Sequence, residues 1–517
     1  MEKECLNQIL REVIIFKDLE NVIDSLAKGA DINGCDWDGW TPLHIAASAG
    51  LTAHVELMLE TPDADFNAQN VDGNTPLHLA SLKGNLELVQ VLIERTVTDP
   101  NKVNEFGNTL LHSAAEDGHL PIIQLLIERK DIDPNKSNEI GDNALHLAAR
   151  DGQSDVVQCL LKRTDVDLNQ GNRDGNTPLH LAALRGNLRI VQLLLERTDT
   201  DQNKGNEDGN TPLHLATFMK NLQIVELLLE RTDIDPNTLN EDGDSSLHSA
   251  VAGKDIETTK LLLKRTDIFP DKIDKSHQSG CTPFQCAVIS GQLNIVQLLL
   301  ERTDVYPNQG NEDDENLLHL AVEGGDTAIV KLLLEKTNLD PNKVNKDDDT
   351  LLHLACKGGY LDIVKLLLER TDTDPNKVNK DDDTILHFAV KGGYIDIVIL
   401  LLEQTDIDPH KVNEDDDTLL HLAVKGGYID IVILLLEQTD IDPNKVNEDD
   451  DTLLHLAVKG GYIDIVILLL EQTDIDPNKV NEDDDTLLHL AVKGGYIDIV
   501  ILLLEQTDID PNKVNEV

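Results

Sequence analysis

The stretch DGNTPLHLAALRGNLRIVQLLLERTDTDQNKGNE, residues 174–207, reads as turn, helix, turn, helix. Asp174-Gly175 suits a tight turn whose backbone needs positive φ, Thr177 is a helix-capping residue, and Pro178 fits a first helical turn, where no amide is required. Leu179, Leu181 and Ala182 supply an apolar stripe, and Gly186 ends the first helix. Ile190, Val191, Leu193, Leu194 and Leu195 then recur at spacings that bury one face of a second helix. Neither helix can hide its face alone, so the unit must stack on copies of itself.

The copies are there. His44, His78, His112, His146, His180, His214 and His248 follow one another at 34 residues. The beat skips 37 residues to Gln285, then resumes at 34 through His319, His353, His387, His421, His455 and His489. A 34-residue period also fits tetratricopeptide arrays, and the motif arbitrates. TPLHIA at 41–46, TPLHLA at 75–80, 177–182 and 211–216, and TLLHSA at 109–114 resemble the ankyrin repeat. The resemblance implies an all-α ankyrin-repeat solenoid of stacked helix-turn-helix units with β-turn or hairpin loops. The unit is one residue longer than the family's usual 33, in the outgoing loop, for example RKDIDPNK at 129–136.

Residues 1–34 lack TPLH but end in DLENVIDSLAKGADIN, which matches a second helix and its loop, so they read as a degenerate N-terminal capping repeat. Residues 35–312 are varied repeats, with a bend expected near 270–281, where three residues are added. Residues 313–517 are acidic, near-identical repeats. Repeats cover essentially the whole sequence, which leaves no room for an appended catalytic domain, and no phosphate loop, HExxH, GxSxG or nucleotide fingerprint is present. The expectation is a non-enzymatic chain with no catalytic, cofactor-binding or metal residues. It ends at Val517 without a polar capping version, so either the natural chain continues or its last face frays or finds a partner.

Charge narrows the partners. With 44 Lys+Arg against 96 Asp+Glu the formal net charge is −52, which repels nucleic acid and anionic lipid and leaves basic proteins or segments as partners. No run of about 18 uncharged apolar residues occurs, so no membrane insertion is expected. The six cysteines, Cys5, Cys35, Cys159, Cys281, Cys286 and Cys356, lack paired spacing and read as reduced and intracellular.

Among repeats that share a scaffold, the positions that vary are free to bind. At the end of the first helix the pairs run Ser48/Ala49, Leu82/Lys83, Glu116/Asp117, Arg150/Asp151, Leu184/Arg185, Phe218/Met219 and Ile289/Ser290. The resemblance places this region and the turn tips on a concave partner-binding face. Trp40, Lys83, Glu116, Asp117, Arg150, Asp151, Arg185, Phe218 and Met219 are its candidate residues; drift at solvated positions is the plain alternative.

From Asp313 the Asp-Gly turn becomes DDE or DDD. Residues 415–448, 449–482 and 483–516 are identical, and 381–414 differs only at Ile385, Phe388 and His410. Each of these repeats holds eight acids and two lysines, net −6, whereas residues 174–207 hold five acids and four bases, net −1. Asp415 to Asp417 and their copies, with Asp416, Asp417, Asp450 and Asp451 as the candidate residues, are expected to form a carboxylate ladder whose step is near the Debye length of about 8 Å. Such a ladder either draws in a basic segment or only solubilises. Tyr360, Tyr394 and Tyr428, repeated at 462 and 496, make a contact strip or pack between repeats. Ile399, Ile433, Ile467 and Ile501 replace polar residues on the second helix and are either an exposed patch or extra core.

Two resemblances to metal sites fail on spacing. Histidines one repeat apart cannot share an ion whose bonds are near 2 Å. Asp440, Asp442, Asn444 and Asp451 echo a calcium loop, but Lys445 stands where that loop needs glycine. The function expected is protein binding through the concave surface. One alternative is a structural spacer or self-associating scaffold; another, by analogy with the family, is an effector that an intracellular bacterium delivers into its host. The compartment expected is the cytoplasm, of its own cell or of a host.

Overall fold

The computed structural model describes residues 2–96, 98–270, 281–302, 315–370, 374–404, 406–505 and 509. Over these residues thirty helices follow one another as fifteen pairs, and no strand occurs among the described residues. The chain divides into two compact units, Met1–Gly280 and Cys281–Val517, so the compositional boundary at 312/313 lies inside the second. The bend expected near 270–281 falls on residues 271–280, which lie outside the described residues.

The helix pair Pro178–Arg185 and Leu188–Leu195 shows how the sequence builds a repeat in the first unit. Thr177 caps the first helix in a reciprocal box: its side chain accepts from the His180 amide at 3.4 Å, and His180 Nδ1 accepts from the Thr177 amide at 3.1 Å. His180 Nε2 reaches the carbonyl of Asn210 in the following repeat at 2.9 Å, which assigns the ring proton to Nε2. The histidine column is thus a structural link between repeats. Gly186 closes the helix with φ +76°.

Pro178–Arg185 packs against Ala144–Arg150 on one side and Pro212–Phe218 on the other, and Leu188–Leu195 packs beneath it. Leu179, Ala182, Ile190, Val191 and Leu194 are buried in that contact. Each large aliphatic side chain removed from water there contributes roughly 2 kcal/mol.

Polar bonds tie the repeats together outside the core. Asn172 Oδ1 accepts from the amides of Asp174 and Asn176 and so shapes its own turn, while its amide group donates to Asp142 Oδ1 of the preceding repeat at 2.9 Å. The Arg197 guanidinium holds Asp199 through two bonds, at 3.0 and 2.8 Å, and donates back to the Leu161 carbonyl at 3.0 Å. Arg231 and Arg265 repeat this clamp. Asn169 completes a loop clamp, donating to the Asp199 carbonyl and accepting from the Asp201 amide.

The second unit keeps the helix pairs, as in Leu419–Lys425 with Ile429–Gln438, and the capped histidines. From Asp347 onward its turns keep the backbone bond from one hairpin to the next, with Glu448 N donating to Asp415 O at 2.9 Å.

Candidate partner-binding face

In the first unit the turns between repeats are joined edge to edge. The amides of Val71, Glu105, Glu139 and Arg173 donate to the carbonyls of Asp38, Asp72, Phe106 and Ile140 at 2.9–3.0 Å. Behind them Asn104 donates to Asn74 Oδ1 at 2.8 Å and Asn138 to Asn108 Oδ1 at 2.9 Å. The tips therefore stand on a framework whose polar groups are already satisfied, which fixes them before any partner arrives.

Four tips present apolar side chains to solvent. Trp37 is fully exposed, and Val71, Phe106 and Ile140 are 61%, 56% and 50% exposed. An open groove of about 400 Å³ runs from Phe106 and Ile140 to the first-helix ends at Leu82, Glu116 and Arg150. Glu105, Glu116, Asp117 and Glu139 are exposed around it. Arg150 is held between Asp151 at 3.0 Å and the buried Asp142 at 3.4 Å, and these carboxylates, Asp151 foremost, raise its guanidinium's affinity for its proton. The acids on the rim are thus the free charges.

The structure brings Glu116 and Arg150 into this groove and leaves Lys83, Asp117, Asp151 and Arg185 exposed at helix ends. Phe218, 70% exposed, and Met219 lie outside it, farther along the same column. Trp40 is half-buried, its ring 6.3 Å from that of His44 and its amide bonded to Asp36, so it supports the first turn. Sequence reasoning missed Trp37, Val71, Phe106 and Ile140. The signal was available: they occupy turn positions where later repeats have Arg173, Asp174, Glu207 and Asp208.

The acidic repeats require a correction. Asp416 and Asp450 are exposed, both with φ +55°. Asp417 and Asp451, expected beside them on the ladder, are buried at 1% exposure. Each lies in the position of Asn176, facing inward between turns, where Asp417 Oδ1 accepts from Asn447 at 3.2 Å and Oδ2 binds Lys425 Nζ at 2.5 Å. Asp451 does the same with Asn481 and Lys459. Asp142 and Arg150 are the first unit's version, a buried Asp matched by a cation eight residues on.

Tyr360, Tyr394 and Tyr428 are half-buried and bridge repeats. The Tyr428 ring fills the space beside Gly426 and Gly393, where a Cβ on Gly393 would stand 2.5 Å from the ring, and its hydroxyl donates to the Lys391 carbonyl at 3.4 Å. This is the reason for the Gly-Gly step. Ile399, Ile433 and Ile467 are half-buried, and Ile501 on the last helix is 49% exposed. Asp442 Oδ1 accepts from the Asn444 amide in a local turn, and among the described residues no group of three or more His, Cys, Asp or Glu side chains is placed to hold a metal ion.

Paired helices recurring at a 34-residue period broken once, with hairpin turns joined edge to edge, define a helical repeat solenoid. The family model described as ankyrin repeats matches residues 12–102, 83–172, 160–239, 232–311, 303–379, 371–447 and 439–515, and the chain belongs to the ankyrin-repeat family. No curated protein matches the sequence. Ankyrin repeats are generally protein–protein interaction modules, and proteins built from them are typically non-enzymatic. No helix among the described residues is long and apolar enough to cross a membrane.

Proposed function

We propose that this chain is a non-enzymatic adaptor acting in the cytoplasm, of its own cell or of a host. It grips a partner protein along the turn tips and first-helix ends between Trp37 and Arg150. The observation that carries this reading is the row of four exposed apolar tips above an acid-rimmed groove, since an apolar surface on a fixed framework lowers the ordering cost of binding. The segment that fits has apolar side chains to cover Phe106 and Ile140, flanked by Lys or Arg to meet Glu105, Glu116 and Glu139. The exposed Asp416 and Asp450 positions would add a salt-sensitive contribution to encounter rate rather than a specific grip.

The test is capture of partners by the full chain, by a Phe106→Asp/Ile140→Asp variant, and by an Asp416→Asn/Asp450→Asn variant, each checked for helix content. Loss of a defined partner with the first variant and retention with the second is the expected result. Partners that ignore the first variant and vanish with the second or with added salt would move the site to the acidic turns. Recovery of the chain alone, with mass rising with concentration in sedimentation, would favour the scaffold reading that the identical repeats and the isoleucine column motivate.

A further inference from the structure

The repeat that breaks the histidine column also carries the chain's one close cysteine pair in sequence. Cys281 directly precedes Thr282, which caps the helix Pro283–Ile289, and Cys286 is the fourth residue of that helix. These are the two positions whose side chains meet across a helix start in a hydrophobic staple. Most other repeats fill them with an Asx and a leucine, such as Asn176 with Leu181 or Asp417 with Leu422. Here both are thiols, and they are hydrogen-bonded to each other.

The surrounding cap holds the pair in register. The Thr282 amide donates to Gln285 Oε1 at 2.8 Å, and the Gln285 amide donates to Thr282 Oγ1 at 3.1 Å. Both thiols are half-buried and so within reach of a small reagent, whereas Cys159 and Cys356 are buried and burial pushes their thiols up. The bond from Cys286 brings the Cys281 thiol down to about 7, against the opposing effect of burial. That bond favours the thiolate of Cys281, the reactive form.

We propose that Cys281 and Cys286 are a peroxide-reactive dithiol that closes to an intrachain disulfide. The Cys281 thiolate attacks one oxygen of hydrogen peroxide. An S–O bond forms, the O–O bond breaks, and hydroxide leaves to be protonated to water, which makes Cys281 a sulfenic acid. Cys286, giving up its proton, attacks the Cys281 sulfur and displaces the oxygen as a second water. The two sulfurs lose two electrons in total, and peroxide takes them up.

The experiment treats the full chain at pH 7 with one equivalent of hydrogen peroxide, alkylates the remaining thiols, and maps the tryptic peptide that contains both residues. The expected result is a peptide lighter by two hydrogens that resists alkylation until reduced, while Cys5 and Cys35 still alkylate. With iodoacetamide at pH 7, Cys281 is expected to label roughly threefold faster than Cys35, because its larger thiolate fraction outweighs its lower nucleophilicity. Cys286→Ser should abolish that advantage and leave a sulfenic acid at Cys281 that dimedone traps. Alkylation of both residues at a dose that oxidises Cys5 and Cys35, or oxidation of the pair to separate sulfinic acids, would overturn the proposal. The mass of the unmodified chain's peptide decides this even if the variant fails to fold.

Discussion

The turn at residues 172–177 and the turn at 413–418 do the same task with different chemistry. In the first, Gly175 adopts φ +72°, and a Cβ there would stand 2.5 Å from the Glu207 amide of the next repeat, so glycine lets the following hairpin close against it. His146 then reaches the Asn176 carbonyl at 3.0 Å. In the second, Asp416 holds the same left-handed conformation with a side chain attached, and the ring nitrogen Nε2 of His387, His421 and His455 is buried without a partner. The Arg197 clamp is also gone, since Gln404, Gln438 and Gln472 stand in its column. What the acidic repeats have in return is the Asp417–Lys425 ion pair and tyrosine packing, in which a 3.4 Å hydroxyl contact replaces the 2.8 Å bond from Asn187 to Ala149. Duplication has multiplied a repeat whose joints rest more on packing and one ion pair than on distributed hydrogen bonds.

Acid should expose this difference most strongly. Burial lowers the pKa to about 4 at the column histidines His78, His112, His180 and His214 in the first unit and at His319, His353 and His387 in the second. The unfolded chain titrates near 6.5, so between the two values the unfolded state binds more protons. The stabilisation is complete above pH 6.5 and is lost as pH falls towards 4, by about 1.4 kcal/mol per histidine per pH unit. In the second unit, burial raises the Asp349 carboxyl above its usual range, so its protonation in the folded state offsets part of the loss there. Hydrogen exchange resolved by segment between pH 7 and 4.5, corrected for intrinsic rates, should show the first unit losing more protection per repeat than the repeat that holds Asp349. Equal losses would mean that this carboxyl contributes little.

The ion pair offers a sharper test. Lys425→Ala leaves the Asp417 carboxylate buried with one amide partner, which is expected to destabilise that repeat by roughly 3 kcal/mol. Adding Asp417→Asn, with Leu at 425, recreates the Asn176/Leu184 pair of the first unit and should restore most of the loss in a denaturant titration. If Lys425→Ala alone is neutral, the carboxylate reaches water and the acidic turns are looser than their burial indicates.

The fold was legible because the 34-residue beat, the Thr-Pro cap and the Gly stops are local signals that stacking cannot override. The candidate site was legible only where helix ends vary, at Glu116 and Arg150. Three consecutive aspartates carry no mark of which one faces inward. The burial of Asp417 follows from its register with Asn176 and from a lysine eight residues on, a pairing that the Asp142 and Arg150 repeat already displays. The apolar tips were obscured for a related reason: single exposed apolar residues in turns look like drift until the hairpins are seen to align Trp37, Val71, Phe106 and Ile140 along one edge.

The smallest effect isolates the cause of the orphaned histidines. If the Cβ of Asp416 keeps the next turn from seating, Asp416→Gly should let residues 447–451 move in and bring the Asp451 carbonyl to His421 Nε2. Relief of the left-handed aspartate and recovery of one buried hydrogen bond are together worth about 1 kcal/mol, reduced by the greater freedom of glycine in the unfolded chain. The readout that separates these contributions is the His421 ring itself, whose Nε2 proton should shift downfield and exchange more slowly when it gains an acceptor. A gain in stability with an unchanged ring signal would assign the benefit to backbone strain alone and leave the gap between repeats to the lost arginine clamp.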